Sequence, residues 1–152
     1  DIQERNMAML KIAVGCDPNA ASAKAALMQY LGQKGFLLTD FGSDDPIYAN
    51  VAIKVAEAVS RKEYDRGILI CGTGLGVSIA ANKVKGIRAA VCSEPFTAKM
   101  ARVHNNCNIL AFGARVVGAE LAKMIVETWL DAEFEGGRHQ RRVDLITAIE
   151  EK

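Results

Sequence analysis

The chain has 152 residues, half of them apolar, with 19 basic and 18 acidic side chains that leave a formal charge of +1. That length and apolar content suit one domain with a single substantial core, and the near-neutral charge argues against a nucleic-acid or membrane partner held by bulk electrostatics. No apolar stretch approaches the roughly 20 residues of a membrane span, and "DIQERNMAML" lacks the apolar run of a secretory signal, so a cytoplasmic protein with a small-molecule ligand is expected.

Residues 1–8 read as a polar N-terminal extension before a single domain over 9–152. Five short apolar runs then read as buried strands: "LKIAVGC" (10–16), "FLLTDFG" (36–42), "RGILIC" (66–71), "GIRAAVC" (86–92) and "NILAFGA" (108–114). Helical spacing separates them. Ala20, Ala23, Leu27, Tyr30 and Leu31 follow the first run, and Ile47, Val51, Val55 and Val59 form an i, i+4 stripe after the second. Met100 and Val103 follow the fourth run, while Leu121, Ile125 and Trp129 follow the fifth. Nearly continuous apolar strands alternating with helices predict an α/β domain with a doubly wound, five-stranded parallel sheet covered on both faces. Ligands of such sheets collect beyond the carboxyl ends of the strands, where strand order reverses. The loops to read therefore begin at Asp17, Cys71, Ser93 and Ala114. The last segment, "EGGRHQRRVDLITAIEEK", is an amphipathic helix too polar to cover a sheet throughout, and contact with a neighbouring subunit is expected of it.

"ICGTGLGVSIAANK" (70–83) opens with a thiol at a strand end and places Gly72, Gly74 and Gly76 before a helix. Backbone N–H groups and the positive helix end converge there, which favours an anion. Four readings stay open. A dinucleotide site, for which Glu94 offers a ribose-binding acid, lacks the G-x-G-x-x-G spacing, and the lysine of a phosphate-binding P-loop is missing. A cysteine phosphatase wants an arginine where the chain has Val77. A thiolate favoured by the helix start can act as a base, with the same amides holding an enediolate oxygen. The fourth reading is a buried strand-end cysteine beside a tight turn. Cys16, Cys92 and Cys107 form no CxxC pair with it, so reduced thiols are expected.

The stretch "ILICGTGLGVSIAANKVKGIRAAVCSEPFTAKMARVHNNCNILAFGARVVG", extended by "GGRHQRRV", closely resembles the ribose-5-phosphate isomerase B family, which includes galactose-6-phosphate isomerase subunits; the likeness runs from about Lys11 to Glu150. The resemblance implies a Rossmann-like, three-layer αβα fold and an aldose–ketose isomerase that needs no metal or other cofactor. It would interconvert D-ribose 5-phosphate and D-ribulose 5-phosphate through a cis-enediolate. The alternatives are the same chemistry on a hexose 6-phosphate or tetrose 4-phosphate, and a non-catalytic nucleotide or sugar-phosphate binder. The family forms dimers that pair into tetramers, with active sites between subunits.

Carried over by position, Cys71 is the base that moves a proton between C1 and C2. His104 is the acid that opens the sugar ring, a task suited to a group titrating near neutrality. The loop Gly72, Thr73, Gly74, Leu75 and Gly76 surrounds the reacting oxygens, with the Thr73 hydroxyl bonding O1 or O2. Asn105 binds sugar hydroxyls, Arg115 joins the phosphate site, and Arg138 and Arg142, four apart on a predicted helix, would grip the phosphate from one face. His139 and Arg141 are read as pointing elsewhere. Asp17 matches a ligand-contacting acid and equally suits a helix cap. His104 and Cys107 have metal-pair spacing without further ligands, so no metal site is expected. Two departures bear on the sugar. Pro18 stands where the family commonly has histidine, and Asp45 stands where tyrosine is frequent, so an aromatic wall is expected to be lost.

Overall fold

The computed structural model describes residues 10–152; the 1–8 extension, and residue 9 with which the domain was expected to open, lie outside them. In chain order the elements are β1 (Lys11–Cys16), a 3-10 turn (Pro18–Ala20), α1 (Ala21–Gln33), β2 (Leu37–Asp40), α2 (Tyr48–Ser60), β3 (Arg66–Cys71) and α3 (Leu75–Ala81). There follow β4 (Ala89–Val91), α4 (Pro95–Val103), β5 (Ile109–Gly113), α5 (Ala119–Asp131) and α6 (Arg138–Ala148), with a closing 3-10 turn (Ile149–Glu151). All five strands are parallel in the order β2-β1-β3-β5-β4.

Alternation along the central strands divides the interior in two, as successive side chains of a strand must. Ile12, Val14, Ile68, Ile70, Leu110 and Phe112 face α1, α4 and α5, with Trp129 and Ile125 at full burial. Ala13, Leu69, Cys71, Ile109 and Ala111 face α2 and α3. Each large side chain taken wholly out of water contributes ~1.5–3 kcal/mol, so the three central strands carry the fold. Fully buried residues occur on them alone among the strands, while β4 still packs Ala90 against the first core and Ala89 and Val91 against the second. The edge strands β2 and β4 have no fully buried residue, because each has a neighbour on one side and helices reach only part of its length.

Most of the expected helical stripe residues are where the pattern put them. Val51, Val55 and Val59 are buried, but Ile47 precedes α2 as its cap residue and is exposed. On α4 the buried positions are Ala98, Ala101 and Arg102, not Met100 and Val103. Leu121 is exposed while Ile125 and Trp129 are sealed. No helix among the described residues is long and apolar enough to cross a membrane.

Strand order reverses between β1 and β3: the connection from β1 runs outward to β2, and that from β3 runs toward the opposite edge. The crevice beyond their carboxyl ends is the position where such sheets bind ligands. Asp17 N–H donates to Ile70 O at 3.2 Å, which sets the first loop against the third.

Candidate active site

The loop after β3 is held almost entirely by backbone. Gly74 has φ +82°, and a Cβ there would lie 2.8 Å from the Phe112 carbonyl carbon. Gly113, across the sheet from Cys71, is equally confined: a Cβ would come within 2.6 Å of the Thr73 main chain. These two glycines let β5 and the loop touch, and Ala114 N–H and Arg115 N–H then donate to Cys71 O and Gly72 O at 2.8 and 3.0 Å. Arg115 thereby lies beside Gly72, its side chain 3.3 Å from where a Cβ would stand.

Within this frame the Gly74 N–H points at Cys71 Sγ, 3.2 Å away, and the thiol is buried. A main-chain donor thus points into the pocket at the sulfur, where it can also hold a reacting oxygen. Thr73 Oγ1 accepts from Leu75 N–H at 3.2 Å, which leaves the hydroxyl proton available to donate outward. Burial pushes the Cys16 and Cys107 thiols up to about 11, and Cys92 is raised by the same cause. Each is a core residue, as their free, buried state indicates.

Asp17 does what a cap does: its Oδ1 accepts from Ala20 N–H at 3.2 Å, with Pro18 preset as the first residue of the 3-10 turn. Glu94, the other acid considered at a strand end, caps α4 through Thr97 N–H. Asp45 is a turn residue whose carboxylate accepts from Ile47 N–H at 2.8 Å and Asn50 Nδ2 at 2.9 Å, bonds that hold its pKa below the ordinary value. Another aromatic ring lies against the loop. Tyr48, at the start of α2, packs its ring where a Gly76 Cβ would be, 2.5 Å from that position. The sequence signal for it was the Tyr48–Gly76 pair, which nothing local connects.

His104, Asn105, Arg138 and Arg142 are at the other end of the sheet. Helix α4 starts beyond the carboxyl end of β4 and runs back, so His104, its C-cap residue, emerges beside the start of β5. Residues 109–113 of β5 separate that end from Cys71, roughly 13 Å at the usual rise of a strand. One chain therefore does not bring His104 to its own Cys71. The 104–107 turn is strapped instead by arginines. Arg88 donates to Asn105 O and Asn106 O at 3.0 and 2.9 Å, and Arg102 to Asn106 Oδ1 and Cys107 O at 2.8 Å each. Asn106 adopts a left-handed φ of +49° at the corner.

His139, expected to point elsewhere, is buried and stacks on His104 with ring centroids 4.2 Å apart and planes 14° from parallel. Arg138 Nε and Arg142 Nη1 each lie 3.4 Å from one of its ring nitrogens. The two arginines thus share a face, as their spacing predicted. Glu135 approaches His139 to 3.8 Å, and donor atoms of His104, Glu135 and His139 lie within 4.8 Å of one another. Two guanidinium groups beside that trio oppose a cation and suit an anion such as a phosphate.

Residues 12–146 match the Ribose/Galactose Isomerase family. The chain belongs to that family. It is 55% identical to the Escherichia coli ribose-5-phosphate isomerase B over 147 residues, 95% of this chain and 99% of that protein. It is 49% identical to the D-erythrulose-4-phosphate isomerase of Pectobacterium atrosepticum over 142 residues, 91% of this chain and 93% of the relative. The solved structure of the ribose-5-phosphate isomerase B of Clostridium thermocellum superposes with a TM-score of 0.90 at 52% identity, covering 93% of this chain and 98% of that one. The doubly wound sheet, the three layers and the C-terminal helix are those of this isomerase family.

Proposed function

We propose that the protein is an aldose–ketose isomerase that interconverts D-ribose 5-phosphate and D-ribulose 5-phosphate. The observation that carries this reading is the Gly74 N–H held on Cys71 Sγ inside a glycine loop, in a member of an isomerase family. The Cys71 thiolate takes the proton from C2 of the open-chain aldose. The carbonyl oxygen at C1 becomes the enediolate oxygen, to which the Thr73 hydroxyl and the loop amides donate; the O2 hydroxyl proton then passes to O1, the same sulfur returns its proton to C1, and C2 becomes the carbonyl. Proton transfer within one intermediate makes the reaction redox-neutral.

Ring opening and phosphate binding fall to His104, Asn105, Arg138 and Arg142. Because these residues sit at the opposite end of the sheet from Cys71, the complete site joins the loop of one protomer to the histidine turn and α6 of its partner, in a homodimer that can pair into a tetramer. Exposed apolar side chains on α3, on α6 and in the closing 3-10 turn, among them Ile79, Leu145 and Ile149, supply surface for that association. Asp17, Pro18 and Arg115 border the same crevice.

A second reading keeps the chemistry and shortens the sugar to a tetrose 4-phosphate. Pro18 favours it, since the side chain at that position has no donor for an extra hydroxyl. The deciding experiment compares kcat/KM for D-ribose 5-phosphate, D-erythrose 4-phosphate and a hexose 6-phosphate. A clear preference for the pentose supports the first reading; turnover of none of them overturns both.

A further inference from the structure

We propose that His139 is a positioning residue for ring opening: a neutral flat ring that fixes the plane of His104 and leaves the proton of the stacked pair on His104. The proposal rests on the isomerase reading above.

The stack is built into the fold. Glu135 N–H donates to Val103 O at 3.0 Å, which straps the segment before α6 to the end of α4, and His139 N–H returns to Gly136 O at 2.9 Å. Gly136 and Gly137 turn the chain between them with φ of +70° and +53°, a conformation that glycine adopts without steric cost. The two histidines are the only ones in the sequence, and they lie face to face.

Charge decides which ring holds the proton. Two imidazolium rings at this separation repel, so the pair holds one proton more readily than two. The charged groups facing it are Arg138 and Arg142, in contact with the His139 nitrogens, and the single carboxylate of Glu135. Two cations against one anion disfavour a third cation at His139, and its burial and the His104 charge hold its pKa below the usual imidazole value. The proton the pair can hold is thereby left to His104, since the arginine contacts fall on the His139 nitrogens. Ring opening needs that proton delivered to the ring oxygen as the C1–O4 bond breaks, while the C1 hydroxyl gives its own proton to water and becomes the aldehyde, and an acid whose plane is already set loses less in orienting.

The test compares the full-length wild type with His139→Ala and His139→Phe on two substrates. Ribose 5-phosphate is a furanose and must open; erythrose 4-phosphate, with O4 esterified, has no ring to open. The expected result is that His139→Ala lowers kcat/KM for ribose 5-phosphate about tenfold or more and for erythrose 4-phosphate less than about threefold, while His139→Phe, which keeps a neutral stacked ring, recovers most of the loss. An equal loss on both sugars, or no loss, overturns the proposal. Histidine NMR decides independently of turnover: the signal that titrates in the neutral range must survive in His139→Phe, and its disappearance there also overturns the proposal. Wild-type protein that isomerises neither sugar sinks the isomerase reading, and the NMR titration still settles the proton's place.

Discussion

The two halves of the proposed site are made of different material. At the carboxyl end of the sheet, the loop 71–76 is fixed by main chain: glycines at 74 and 113 permit contact, and amide hydrogen bonds close it. At the amino end, His104 and its neighbours are fixed by side chains, through the arginine straps to the 104–107 turn and the histidine stack. A half built from backbone tolerates no added atom, whereas a half built from side chains can lose one member and keep its outline. The first suits charge development on an oxygen, where geometry must be exact before the reaction begins; the second suits proton delivery and phosphate capture, where charge matters most.

The largest expected effect comes from removing the sulfur. Cys71→Ala should lower kcat by about 10⁴-fold, while titration calorimetry with inorganic phosphate shows binding retained. Mixing this variant with His104→Asn after unfolding and refolding together tests the division between protomers. Each inactive parent supplies what the other lacks, so half the dimers are hybrids with one intact site, and about a quarter of wild-type activity returns. If no activity returns, both residues act within one chain and the composite site is wrong.

Gly113→Ala comes next. Its new methyl group would meet the Thr73 main chain, pushing the loop away from β5, and kcat should fall ~10²–10³-fold with the histidine NMR signals unchanged. A shift in those signals would show that the two halves are not mechanically separate.

The smallest effect lies away from both halves. Lys24, on α1, is buried and bonds the Asp40 carboxylate at the end of β2, a contact that holds the Asp40 pKa below its ordinary value. Its contribution is present above about pH 4 and is lost as pH falls through the lowered value. Asp40→Asn should cost about 1–2 kcal/mol in urea unfolding at neutral pH, the low end for a broken pair because Asp40 is half exposed. The difference between variant and wild type should close on acidification.

Much of the fold was legible from five apolar runs, because a central parallel strand is buried on both faces and advertises it in sequence. The edge strands carried a weaker version of the same signal and were over-read as fully buried. The Cys71 loop was legible too, since thiol, glycines and helix start are consecutive. His139 was not: its role depends on a partner 35 positions away across two elements, and neighbours in sequence gave only a basic helix start. Tyr48 was missed for the same reason, its contact being with Gly76 on another helix.

The sheet ends in strands of four and three residues. Short borders offer few free main-chain donors and acceptors to another chain, so stacking of copies by strand addition has little to grip. The apolar residues left uncovered lie mainly on helices. Side-chain faces, rather than strand edges, are therefore the surface this fold offers to another chain, and a contact of that kind opens no route to fibres.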